Sequence, residues 1–93
     1  MTAETSTREI HIEIKTIDGD KGQFKFKVDT LVGKAKEIAL TTFHIVPPPG
    51  IIYKLAEKKP DGKFRPLDDN KTLEQENIEN KATLFLGTEQ QVG

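Results

Sequence analysis

The sequence predicts an α+β roll, in which one main helix lies on one face of a mixed sheet of four to five strands. Three observations carry this expectation. Two neighbouring stretches alternate strictly between apolar and polar residues, with Asp18 and Gly19 between them. The next stretch switches to helical spacing and is stopped by Pro47, Pro48, Pro49 and Gly50. Shorter apolar runs then follow, the last from Ala82 to Leu86. With 93 residues the chain suits one small domain and leaves no room for a second core.

Each element has its own justification. Residues 1–8 lack apolar periodicity and read as a flexible lead. From Glu9 to Lys15, Ile10, Ile12 and Ile14 share one face of a strand, since side chains alternate at every step. Gly19 supplies the positive φ of a hairpin turn, after which Phe24, Phe26 and Val28 point inward from a second strand over Gln23 to Val28. Asp29 or Thr30 can cap a helix from about Leu31 to Thr42, whose stripe is Val32, Ala35, Ala39 and Phe43 with Leu31 and Ile38. Gly33 costs this helix up to ~1 kcal/mol relative to alanine, which burial of the stripe must override.

A third strand is expected over Ile51 to Ala56, then a turn through Pro60, Asp61 and Gly62. Phe64 to Leu67 forms a short fourth strand that Pro66 confines to an edge. Thr72 and Gln75 have capping-box spacing and predict a helical turn. Ala82 to Leu86 is the final strand, with Leu84 and Leu86 inward. Residues 9–86 thus make one domain of the β-grasp kind, and 87–93 a flexible tail.

Composition removes several function classes. The absence of cysteine excludes a disulfide framework, a thiolate zinc site and a cysteine nucleophile. Fourteen basic and 15 acidic residues are interspersed, giving a net charge of −1, whereas a nucleic-acid binder needs a one-sided basic surface. No apolar run approaches the roughly 20 residues that span a bilayer, and the polar start lacks the apolar segment of a signal peptide. A cytoplasmic, monomeric protein without nucleic-acid or membrane partners is expected. The pairs Asp18 with Asp20 and Asp68 with Asp69 sit in short turns that offer too few oxygens for calcium. His11 and His44 have no nucleophile at useful spacing and are expected in solvent. Neither phosphate-loop pattern occurs.

The second half of the chain resembles ubiquitin. Residues 67–93 run beside its last segment without a gap, and Leu67, Asp69, Thr72, Leu73, Asn77, Ile78, Thr83, Leu84, Leu86 and Gly93 coincide. Upstream, Lys15, Thr16 and Gly19 in the first turn, Val32, Ala35 and Ala39 in the helix, and Pro47 and Pro48 fall where the family has such residues. The resemblance implies a ubiquitin-like fold over residues 9–93 and a Lys36 to Asp69 ion pair. It also implies a protein modifier that is not itself an enzyme and holds no cofactor. An E1-like enzyme would use ATP to activate the Gly93 carboxylate, and an E2-like enzyme would pass it to a target amine. A deubiquitinase-like peptidase is a further implied partner.

Departures from the family are equally specific. Its tail carries arginines before two glycines, whereas Glu89, Gln90, Gln91 and Val92 precede a single glycine here, so a cognate E1-like enzyme must read a different tail. The hydrophobic patch of ubiquitin maps to Ile17, Lys54 and Gly87, with two of three apolar members gone. Ile52 and Phe85 share the outer face by alternation and are candidate partner anchors beside Ile17 and Lys54. Positions of the commonest chain-forming lysines hold Arg65 and Asn80, which implies single attachment. These features resemble the single-domain bacterial ubiquitin-like proteins of antiviral conjugation operons. A noncovalent ubiquitin-like interaction module and a sulfur carrier are the alternatives.

Overall fold

The computed structural model describes residues 8–92 and contains β1 (Glu9–Thr16), β2 (Lys21–Lys27), α1 (Val32–Thr42), β3 (Tyr53–Lys58), β4 (Phe64–Pro66), β5 (Ala82–Thr88) and α2 (Glu89–Val92). The strands form one sheet in the order β2-β1-β5-β3-β4, with β1 and β5 parallel at its centre and the other pairs antiparallel. The expected α+β roll is therefore present. Most of the expected lead, residues 1–7, lies outside the described residues; Arg8, its last member, is tied to the sheet, its carbonyl accepting from the Val28 N–H at 2.8 Å.

The alternation of β1 places Ile10, Ile12 and Ile14 in the core with no exposed surface. They meet Val32, Ala35 and Ala39 of α1, and Leu55, Leu67, Leu73, Ile78, Leu84 and Leu86 complete the same cluster. Phe26 and Val28 are buried as expected, while Phe24 is half-buried, stacking on Phe26 and meeting the edge of Phe43. β4 occupies the sheet edge, where Pro66 costs no ladder bond.

The start of α1 corrects the sequence reading. Neither Asp29 nor Thr30 caps it; Leu31 is the N-cap and makes no side-chain bond. The free amides of the first turn instead donate to main-chain carbonyls of a distant loop, Val32 N–H to Lys71 at 2.8 Å and Gly33 N–H to Asp69 at 3.0 Å. Gly33 permits this approach, since a Cβ there would stand 3.2 Å from the Asp69 carbonyl oxygen. Leu31 and Ile38, expected in the apolar stripe, are exposed, because only the small-residue side of the helix faces the sheet.

At its other end α1 closes in a Schellman motif: Ile45 N–H donates to the Leu40 carbonyl at 2.9 Å and His44 N–H to that of Thr41 at 3.1 Å. His44 therefore occupies the left-handed position usually given to glycine, with φ of 58°. A side chain there costs about 1–2 kcal/mol, and glycine gives part of that back as unfolded-chain entropy. His44→Gly should raise the unfolding free energy by about 0.5–1 kcal/mol in urea titration.

β3 also differs from its expected span. Pro49 and Gly50, with φ of 83° at the glycine, form a turn closed by Ile51 N–H donating to the Pro48 carbonyl. That turn holds Ile51 and Ile52 out of the sheet and exposed, so the strand begins at Tyr53 and runs on to Lys58. The capping box is formed: Gln75 Oε1 accepts from Thr72 N–H at 2.8 Å and Thr72 Oγ1 from Gln75 N–H at 3.0 Å.

Candidate functional site

The expected free arm from Gly87 is not what the structure contains. β5 continues through Gly87 to Thr88, and the chain then turns as α2. The cause is a second capping box. Gln91 Oε1 accepts from Thr88 N–H at 2.8 Å, Thr88 Oγ1 accepts from Gln91 N–H at 3.3 Å, and Glu89 N–H donates to the Ile52 carbonyl at 2.7 Å. The sequence held this signal, because Thr88 and Gln91 repeat the spacing of Thr72 and Gln75.

Of the expected tail-recognition residues, Glu89, Gln90 and Gln91 are exposed, whereas Val92 is only 4% exposed. Gly93 lies outside the described residues. α2 folds back against β5 and β3. Gly87 is the floor of this contact: a Cβ on it would lie 2.9 Å from Ile17 Cγ1, 3.0 Å from Gln91 Oε1 and 3.1 Å from Val92 Cγ1. The lack of a side chain at 87 is thus what lets the three side chains converge.

The expected partner surface of Ile17, Ile52, Lys54 and Phe85 does not come together as one patch. Phe85 pairs with Ala56 across the sheet and is half-buried, with Phe64 edge-on at a centroid distance of 5.2 Å and Lys58 Nζ 5.9 Å above its ring. Ile52 is 55% exposed but lies four residues along the chain from Ala56, about 13 Å in an extended strand. The structure does not bring Phe85 and Ile52 into one patch. Ile17, 42% exposed, belongs instead with Gly87 and Val92.

Lys54 pairs with Gly87 in the sheet and turns its ammonium toward Asp69, 3.7 Å from Oδ1. The expected Lys36 to Asp69 pair is formed at 2.6 Å, and Lys36 Nζ also donates to the Tyr53 carbonyl at 3.1 Å. These two lysines and one carboxylate tie α1, β3 and the loop that caps α1 together.

A larger polar network lies where sequence reading found none. Arg65 Nη1 donates to Glu76 Oε1 at 2.8 Å, and Nη2 donates both to Glu57 Oε1 at 2.9 Å and to the Glu76 carbonyl at 3.0 Å. The other Glu76 oxygen, Oε2, accepts from Asp68 N–H at 2.8 Å. That amide, more than any other partner, lowers the Glu76 carboxyl below its ordinary value; burial opposes it and Arg65 assists it. Of these residues the sequence reading names Arg65, at the position of a chain-forming lysine, and Asp68, as a turn former, each for a different reason.

Among the described residues no group of three or more His, Cys, Asp or Glu could hold a metal ion. No helix among them is long and apolar enough to cross a membrane. No protein-family model and no curated protein sequence matches the chain. Solved structures do. A de novo protein designed on the basis of ubiquitin is 27% identical with a TM-score of 0.64, over 87% of this chain and 89% of the other. A chain from a structure described as molecular mimicry of SUMO promoting DNA repair has a TM-score of 0.66 at 15% identity, over 84% and 89%. Strand order, helix placement and these two likenesses agree, and the fold of the chain is ubiquitin-like.

Proposed function

We propose that this chain is a ubiquitin-like protein modifier, activated at Gly93 and joined to target amines. The observation that supports the reading is the likeness to a ubiquitin-based design over nearly the full length of both chains, with one sheet of order β2-β1-β5-β3-β4 around one main helix. The chain acts as a substrate, and the one nucleophile it contributes is its terminal carboxylate. In an E1-like enzyme the glycine carboxylate attacks the α-phosphate of ATP and pyrophosphate leaves. An enzyme thiol then displaces AMP, and after transfer to an E2-like thiol the target amine displaces that thiol. Glu89, Gln90, Gln91 and Val92 are the residues a cognate activating enzyme reads, and a deubiquitinase-like peptidase reverses the bond. A bacterial antiviral system is the setting this proposal adopts from the sequence resemblance.

One observation favours a second reading, a noncovalent interaction module: α2 is docked and Val92 is buried, so the chain leading to Gly93 is held against the sheet. Incubation with purified E1-like and E2-like enzymes and ATP, followed by intact mass spectrometry, separates the readings. The modifier gives an ATP-dependent adduct that deletion of Gly93 abolishes. No adduct with a demonstrably active E1-like enzyme supports the module, and a gain of sulfur identifies a sulfur carrier instead.

A further inference from the structure

On the sheet face away from α1, Ile17 just after β1, Gly87 in β5 and Val92 on α2 form a small apolar contact outside the main core. Its purpose is not stabilisation of a long element, since a four-residue helix does not hold itself in water. What keeps α2 in place is one buried valine, the reciprocal pair of Thr88 and Gln91, and the bond from Glu89 N–H to the Ile52 carbonyl. Such a short segment, held by few contacts at the rim of the fold, opens without disturbing the sheet beneath it.

We propose that α2 is a latch that masks two features together, the outer face at Gly87 and the chain leading to Gly93. With the latch closed, Val92 fills the notch above Gly87 and the backbone after Thr88 is folded back. With it open, the notch is bare, Ile17 is uncovered on that side, and residues 89–92 extend away from the sheet. A partner that takes the segment in extended form thereby prepares the notch, and a partner that fills the notch releases the segment; the coupling is reciprocal by linkage. An occupant of the notch carries an uncharged apolar side chain of valine size, because the floor is the Gly87 backbone and the wall that remains when α2 leaves is Ile17. The latch stands on this packing alone. Its relevance to activation at Gly93 rests on the modifier reading, which the experiment below does not involve.

The test uses the full chain and two variants that leave residues 88–93 unaltered. Gly87→Val fills the notch from below, and Ile17→Ser removes one wall; the second keeps the test decisive where the first perturbs β5. Amide exchange followed by NMR should show Glu89 and Gln91 protected in the parent chain and faster by on the order of 10-fold in both variants, with Leu84 and Leu86 unchanged. Carboxypeptidase Y, followed by intact mass, should trim both variants past Val92 about 10-fold faster than the parent. Unprotected Glu89 and Gln91 amides in the parent, or equal trimming of all three chains, would overturn the proposal.

Discussion

Glu76→Ala will lower the unfolding free energy by about 2–4 kcal/mol, a value below that of a fully buried ion pair because Arg65 is one-third exposed. The loss has three parts. The guanidinium of Arg65 keeps only Glu57 and the carbonyl of residue 76 as partners, the Asp68 amide loses its acceptor, and the space of the side chain empties. Urea titration of both proteins at neutral pH measures the difference, and a change below 1 kcal/mol would show that water replaces the carboxylate freely.

The same residue gives the chain a defined acid response. Because the folded-state pKa of Glu76 lies below its ordinary value of 4.5, the unfolded chain binds the proton more readily. The stabilisation is complete above the unfolded value and is lost as pH falls from 4.5 through the depressed one. Glu76→Gln cannot titrate there. The stability gap between parent and Glu76→Gln should be constant around neutrality and narrow below pH 4.5.

Leu73→Ala is expected to cost about 2–5 kcal/mol, a large part of the 5–15 kcal/mol typical of a domain. Leu73 has no exposed surface, and its N–H donates to the Thr30 carbonyl at 2.9 Å. It pins the connection whose Lys71 and Asp69 carbonyls cap α1. Beyond a lower urea midpoint, the amides of Val32 and Gly33 should lose protection before the sheet does. Leu73→Met, which conserves volume, should restore most of the stability. Equal exchange at α1 and the sheet would separate the helix cap from Leu73.

How far the fold was legible follows from what kind of partner each group uses. Ile10, Ile12 and Ile14, the hairpin glycine, the edge proline and the box of Thr72 and Gln75 depend on neighbours within a few residues, and their patterns are local. The cap of α1 was not legible because any residue supplies a carbonyl, so Lys71 and Asp69 leave no mark on the sequence. Leu31 and Ile38 suited a helical stripe by spacing, but small residues at 35 and 39 decide which side meets the sheet. At the candidate site, Ile17 was expected beside Ile52, Lys54 and Phe85, with Gly87 only a lost apolar member of the patch. The cover over Gly87 was missed because a lone apolar residue, Val92, makes no periodicity, although Thr88 and Gln91 announced the turn.

The parallel pairing of β1 with β5 has a consequence for how the chain is made. Ile14 lies beside Leu84 and Lys15 beside Phe85, so the middle of the sheet joins its earliest strand to its latest. Contacts so distant in sequence form late and slow folding. A ribosome must therefore release β5 before β1 finds its neighbour, and the hairpin of β1 and β2 waits with an open edge until then. Synthesis interrupted before Ala82 yields no smaller working domain, only β1 and β3 each with an unpaired side that invites aggregation.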